Sequence, residues 1–384
     1  MYISRNTHGL YLSERTLRDL GVVPEHFPSP ENEQDGSKVA SQLAGPERAG
    51  EPQTHTASCG CPKRSKVPPI PKKIPYPAEE KNREKLEKWI RDYFDSSALN
   101  TCEHQPLQEM TGTPLDIQFK AGATPTAVHT PIPVPHHWKR HVKAALDQNV
   151  RLGIIEPVPQ GTPTRWCSRM VVAAKKDGSP RRTVDLQRVN DAALRETHHT
   201  PSPFNLVASV PPGTKKTTLD AWNGYHSLGL AETAREATTF ITEWGKYRYK
   251  RAPQGFHASG DGYTRRMDDI TAGTERLKRC IDDSLLWDSS LEEAFWHTVR
   301  YITLCGEHGV VFNPSKFSFG ADTVDFAGFT VTTDGYKPTA RLLDAIRNFP
   351  TPSNLTGSKT GSGWLTRFPT RSRRLKSCHP SETC

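Results

Sequence analysis

The sequence has no pair of CxxC motifs, no run of 18 apolar residues, no amino-terminal signal peptide and no internal repeat. The first absence argues against a zinc ribbon. Eight cysteines are scattered at positions 59, 61, 102, 167, 280, 305, 378 and 384. Cys59-Gly-Cys61 is one close pair, and two ligands do not make a metal site, so free thiols in a reducing compartment are expected. Without a long apolar run, no membrane span is expected. Apolar residues make up only 34% of the 384 positions, whereas proline is abundant at 32. A chain of this make-up devotes part of its length to irregular linker.

The formal net charge is +9, of which the last thirty residues supply +5, through Lys359, Arg367, Arg371, Arg373, Arg374 and Lys376 against Glu382. The remaining body is mildly basic, which suits a polyanionic partner without demanding one.

Residues 28–78 are rich in Pro, Gly, Ser and charge and keep no period, so they read as a disordered linker. In 79–95, Leu86, Trp89, Ile90, Tyr93 and Phe94 fall on one helical stripe, and acids crowd the first turn. This predicts a leader helix docking on the following domain, with an extended segment filling out 79–135. A second helix is predicted over 136–155, ending near Gly153. Strands are predicted at Val171–Ala174, Arg182–Leu186 and Thr217–Asp220, and a hairpin over Ala237–Thr242 and Lys246–Tyr249 turns at Trp244-Gly245. A helix over 258–272, a strand-turn-strand over Leu277–Trp287, a helix over 291–308 and strands near 317–319 and 324–332 complete a mixed α/β pattern rich in antiparallel hairpins.

The chemistry centres on Cys280-Ile281-Asp282-Asp283, two adjacent carboxylates between apolar strand-like runs. Like charges placed there repel unless something positive joins them. A turn carrying oxygen-only ligands suits a hard divalent ion such as Mg²⁺. Asp-Asp turns are common on surfaces, so the pair gains meaning from its company. Upstream, a β-like run ends in Asp220, followed by Gly224 and Tyr225. A third carboxylate allows two ions to be clamped ~3.5–4 Å apart for in-line phosphoryl displacement.

Six blocks occur in order: KKDGSPRRTVDLQRVN (175–190), LDAWNGYH (219–226), TTFITEWGKYRYKRAPQGF (238–256), CIDD (280–283), GVVFNPSKFSF (309–319) and VDFAGFTV (324–331). Together, over roughly residues 80–354, they resemble the fingers and palm of gypsy-class LTR-retrotransposon reverse transcriptases. The resemblance implies an α+β, right-hand polymerase fold with an antiparallel palm sheet over 136–354. It implies RNA-directed DNA polymerase activity by two-metal phosphoryl transfer, with two Mg²⁺ ions for which Mn²⁺ substitutes. It also implies deoxynucleoside triphosphates and an RNA or DNA template-primer as partners, and a cytoplasmic retrotransposon particle or the nucleus as location.

Residue by residue, the resemblance makes Asp220, Asp282 and Asp283 the metal ligands. Tyr225 matches the aromatic under the deoxyribose that collides with a 2′-hydroxyl. Gln254 and Gly255 match the segment lining the nucleotide pocket. Arg181 matches the fingers arginine on the incoming base and phosphate, and Lys175 or Lys176 the lysine on the γ-phosphate. Lys316 resembles the lysine that protonates departing pyrophosphate, and Phe326-Ala327-Gly328 the primer grip. Two positions depart from the family pattern. Cys280 stands where Tyr is usual, losing ring packing near the primer end, and Gln187 stands where Arg is typical, losing one charge that braces the fingers.

Residues 1–27 resemble the end of a retropepsin-like protease, but no Asp-Ser/Thr-Gly loop occurs, so protease activity is not expected. Residues 355–384 lose the apolar period and read as an out-of-frame product or a basic arm; the RNase H and integrase regions expected of such a polyprotein do not appear in this sequence. Two rival readings share the aspartates. One is an inactive retroelement remnant that only binds nucleic acid. The other is an RNA-templated RNA polymerase, against which Tyr225 argues, because such an enzyme needs a small or polar residue beside the 2′-hydroxyl.

Overall fold

The computed structural model describes residues 59–347 apart from Lys176. The expected protease remnant, the first part of the expected linker and the basic tail lie outside these residues, as does Lys176.

From 59 to 78 the chain has neither helix nor strand, as the missing period requires, but it is not loose. Arg64 donates from its backbone N–H to Gln105 Oε1 (2.7 Å) and from its guanidinium to the Cys102 carbonyl (2.9 Å). The Tyr93 hydroxyl donates to the Pro69 carbonyl across 2.7 Å. Val67, Ile74 and Ala78 pack against the second of the cores described below. The expectation of disorder over 28–78 is therefore corrected for 59–78. Periodicity detects regular elements and is blind to an extended strap fixed by side-chain hydrogen bonds.

Helix α1 (Arg83–Phe94) buries Leu86, Ile90 and Phe94 completely and leaves Trp89 stacked on Tyr93 at 4.4 Å. Its i, i+4, i+8 spacing fixes the buried stripe, so it docks as expected. Helix α2 (Lys139–Arg151) ends where Gly153 takes φ +71°. A five-stranded sheet follows in the order β1-β6-β5-β2-β3, from β1 (Ile155–Pro157), β2 (Ser168–Ala174), β3 (Pro180–Val184), β5 (Phe240–Thr242) and β6 (Gly245–Tyr249). Its core holds Leu146, Ile154, Met170 and Phe240.

The second sheet carries the aspartates. Its order is β7-β8-β4-β9, all antiparallel, from β4 (Lys215–Asp220), β7 (Leu277–Cys280), β8 (Asp283–Asp288) and β9 (Ser318–Ala321). Helix α3 (His257–Ile270) and helix α4 (Leu291–Glu307) join α1 in a core with Leu219, Tyr263, Leu286, Phe295 and Phe312. Ser290 caps α4 by accepting from the Glu293 N–H at 3.2 Å.

The strand expected over 324–332 is two strands. Ala327 (φ +51°) and Gly328 (φ +87°) form a tight turn between β10 (Val324–Phe326) and β11 (Phe329–Val331). Positive φ at both central residues is the hairpin turn that matches strand twist. β12 (Tyr336–Pro338) completes this sheet, and α5 (Ala340–Arg347) follows; the sequence pattern disclosed neither.

Candidate active site

Strand pairing puts the three aspartates together. Asp220, last in β4, pairs directly with Asp283, first in β8. Residues paired across adjacent strands point to the same face. The β7–β8 hairpin closes at the Cys280–Asp283 pair, leaving Ile281 and Asp282 as its two-residue turn. The Ala221 N–H donates to the Asp282 carbonyl across 2.9 Å and locks that turn onto the end of β4. Ile281 takes φ +57°, a conformation that costs a β-branched side chain of order 1–3 kcal/mol, and it projects into solvent at 38% exposure. Strain of this kind persists where the turn is held by its surroundings.

The carboxylates are held against their electrostatics. Burial, followed by the nearness of Asp220 and Asp283, pushes Asp282 up to about 6. Burial and then Asp220 do the same to Asp283, also to about 6. Asp282 Oδ1 is buried and has no hydrogen-bond partner. An orphan anionic oxygen beside two further carboxylates is costly unless a cation completes it. The set consists of hard oxygen donors only, which fits Mg²⁺-type ions.

Lys316 reaches this cluster. Its Nζ donates to Asp220 Oδ2 across 2.8 Å, and that bond, ahead of the remaining carboxylates, raises the ammonium above its ordinary range. The Asn313 N–H donates to the Asp220 carbonyl at 2.8 Å, while Asn313 Oδ1 accepts from the Ser315 N–H at 3.0 Å, so the loop bearing Lys316 is fastened to the end of β4.

Three groups support the site from behind. A Cβ at Gly224 would fall on Asp282 Oδ1 and stand 3.3 Å from Tyr263 Cζ, so the carboxylate lies flat on that glycine. Tyr263 is fully buried in α3, and burial, then Asp282, pushes its phenol well above the usual range. Tyr225 is half-buried and meets Tyr263 edge to face at 5.8 Å. The sequence singled out Tyr225 but not Gly224 or Tyr263 as site residues. The NG dipeptide, with Asn223 at φ +55°, was the available signal for the first.

Among the described residues, no hydrogen bond or ion pair joins Arg181, Lys175, Gln254, Gly255, Gln187 or Phe326-Ala327-Gly328 to the aspartates, whereas Cys280 pairs with Asp283 across the hairpin. Arg181 is exposed on β3, opposite Ala173, while its neighbour Arg182 turns inward over the Phe240 ring at 6.0 Å. Lys175 is exposed and closes the β2–β3 turn, its N–H donating to the Ser179 carbonyl at 2.8 Å. Gln254 and Gly255 are exposed, Gly255 with φ +94°. Asn190 fixes that loop: its Nδ2 donates to the Gly255 carbonyl at 2.8 Å, and its Oδ1 accepts from the His257 N–H at 3.0 Å. Phe326-Ala327-Gly328 sits at the β10–β11 turn, with the Thr339 N–H on the Gly328 carbonyl at 3.0 Å. Cys280 is half-buried against the cluster of Leu285, Phe326 and Phe329, an apolar place its small side chain fits. Gln187 opens a short helix, exposed, its N–H on Asp185 Oδ1 at 3.1 Å.

Residues 174–331 match the family described as reverse transcriptase (RNA-dependent DNA polymerase). The Pol polyprotein of the Drosophila melanogaster transposon gypsy is 27% identical over 217 residues, 55% of this chain and 21% of that protein. The Pol polyprotein of transposon opus, from the same organism, is 27% identical, covering 62% of this chain and 24% of its own length. The chain thus spans about a quarter or less of these relatives. Among solved structures, the foamy viral protease-reverse transcriptase in complex with an RNA/DNA hybrid superimposes with a TM-score of 0.64 at 18% identity, over 75% of this chain and 38% of that one. The same viral protein in complex with dsDNA gives a TM-score of 0.64, covering 76% and 60%. At that identity the likeness speaks to fold. The antiparallel sheet with Asp220 facing Asp283 and the order of the sequence blocks around it agree with these comparisons: residues 174–331 are similar to the reverse transcriptases of gypsy-class Pol polyproteins, and the described residues have the fingers and palm of that fold.

Proposed function

We propose that this chain is the RNA-directed DNA polymerase part of a retrotransposon polyprotein, adding deoxynucleotides to a primer 3′-end on an RNA or DNA template. The observation that carries the reading is the clustering of Asp220, Asp282 and Asp283 at two paired strand ends, with a partnerless buried oxygen on Asp282. Asp220, Asp282 and Asp283 would hold two Mg²⁺ ions, or Mn²⁺ in their place, which lower the pKa of the primer hydroxyl and offset the triphosphate charge.

The other side chains have separate tasks in this reading. Lys316 hands a proton to the departing pyrophosphate, and its Asp220 contact keeps it charged and in reach until then. Tyr225, backed by Tyr263, forms the floor under the sugar and excludes a 2′-hydroxyl. Gln254 and Gly255 line the nucleotide pocket, on a loop braced by Asn190. Arg181, on β3, and either Lys175 or Lys176 neutralise the triphosphate. The turn at Phe326-Ala327-Gly328 grips the primer end. The structural neighbours in complex with RNA/DNA hybrid and dsDNA support a template-primer partner.

The test is incorporation of dTMP on primed poly(rA) by the purified chain. It should require a divalent cation and vanish in Asp220→Asn and Asp282→Asn. Incorporation surviving both changes would overturn the reading. Template binding with no incorporation at any Mg²⁺ or Mn²⁺ level would instead identify a module that only binds nucleic acid.

A further inference from the structure

Outside the aspartate cluster, the fold gathers three cysteines. Cys59, Cys61 and Cys102 bring their sulfurs within 4.8 Å of one another, with Cys59 Sγ and Cys102 Sγ 3.5 Å apart. Four ligands at the ~2.3 Å Zn–S distance of a tetrahedral site lie about 3.7 Å from each other, so the triangle has the right size. Sequence spacing alone hides it, because 43 positions separate Cys59 from Cys102. Two residues beyond Cys102 stands His104, which is exposed.

We propose that Cys59, Cys61 and Cys102 bind one Zn²⁺ as thiolates, with the His104 imidazole turning in as the fourth ligand. Binding displaces three thiol protons to solvent and leaves a site of net charge −1. A compensating cation is already in place. Arg64 donates to the Cys102 carbonyl at 2.9 Å, its guanidinium half-buried beside the cluster.

The surroundings are built to hold this geometry. Asn100 Oδ1 accepts from the Cys102 N–H at 3.0 Å, and Asn100 Nδ2 donates to the Pro62 carbonyl at 2.9 Å. Gln105 Nε2 donates to the same carbonyl, also at 2.9 Å. Two side chains from the Cys102 side thus clamp the residue just after Cys61. Fixing ligand loops by outer hydrogen bonds is how metal sites orient their donors. The consequence is mechanical. The zinc would clip the strap at 59–78 to the segment containing Ala98, whose carbonyl accepts from the Phe312 N–H at 2.7 Å, next to the loop that carries Lys316.

The full-length chain, purified from zinc-supplemented cells and dialysed, should retain about one equivalent of zinc by elemental analysis. After exchange, Co²⁺ should give thiolate charge-transfer bands and the strong visible bands of a tetrahedral ion. Cys59→Ser and Cys102→Ser should each lose the metal, and Cys167→Ser, a buried thiol outside the cluster, should keep it. His104→Ala should shift the cobalt bands and weaken zinc about tenfold or more; an unchanged spectrum and affinity would remove His104 from the proposal. Because a serine variant could fail to fold, the wild type provides a second measurement. A chelator should speed tryptic cutting after Lys63, Arg64 and Lys66, and added Zn²⁺ should reverse it. Absence of metal from the wild-type chain, a Cys59–Cys102 disulfide in alkylated peptides, or cutting indifferent to chelator would each overturn the site.

Discussion

Asp282 rests its carboxylate on the bare Cα of Gly224, where any side chain would overlap Oδ1 and crowd Tyr263 Cζ at 3.3 Å. Gly224 is not needed for a special backbone angle, since it is not among the residues with positive φ. It is needed for space. Gly224→Ala should therefore displace Asp282 rather than unfold the chain. The expected outcome is loss of primer extension by about 100-fold or more, with a stability cost of roughly 1–3 kcal/mol. Single-turnover extension and thermal unfolding, measured side by side, check it; near-normal extension would show that Asp282 need not sit where it does.

Lys316 and Asp220 form an ion pair at 2.8 Å with the lysine side chain 60% exposed. Pairs this open contribute about 0–1 kcal/mol to stability. Lys316→Ala should thus leave the melting temperature almost unchanged. If the ammonium protonates pyrophosphate, kcat should fall about 100-fold while KM for the triphosphate moves little. A loss confined to KM would assign Lys316 to binding.

The elements of the palm were legible because their signals are local. Leu86, Ile90 and Phe94 mark α1 by spacing, and Asp282-Asp283 between apolar runs marks the β7–β8 hairpin. What stayed hidden depends on residues far apart in the chain. The contact of Gly224 with Asp282, the backing of Asp282 by Tyr263, and the meeting of Cys102 with Cys59 and Cys61 are all products of tertiary packing. The clamp of Asn190 on the 255–257 loop spans more than sixty residues. The strap at 59–78 escaped for a different reason: Arg64, Asn100 and Gln105 hold it by hydrogen bonds to carbonyls, which leave no apolar period to read.

Tyr225 is wedged between Tyr263, edge to face at 5.8 Å, and Gly260, whose missing Cβ would stand 3.5 Å from the Tyr225 hydroxyl. A ring held on two sides cannot yield to a larger sugar. Tyr225→Ala should raise ribonucleotide use relative to deoxynucleotide use by about tenfold or more. Competition between rUTP and dTTP on primed poly(rA) measures it. An unchanged ratio would place sugar selection elsewhere.

The raised carboxyls of Asp282 and Asp283, both pushed up to about 6 from an ordinary 3.8, make stability depend on pH with a definite sign. A folded-state pKa above the unfolded one means that the fold prefers the protonated form. The contribution is fully present below about pH 4 and is lost as pH rises through 6. In excess chelator, wild-type protein should therefore lose stability between about pH 4 and pH 7, relative to Asp282→Asn, which has no such proton to give up. Near pH 7.5 the asparagine variant should be the more stable by roughly 1–3 kcal/mol, and near pH 4 the two should converge. Millimolar Mg²⁺ should close the gap at neutral pH by stabilising the wild type alone, because a cation that binds only the ionised cluster stabilises by mass action. Denaturant unfolding at the two pH values, with and without Mg²⁺, is the measurement. A gap independent of pH, or one that widens toward acid, would show that the three aspartates do not repel one another as their positions require.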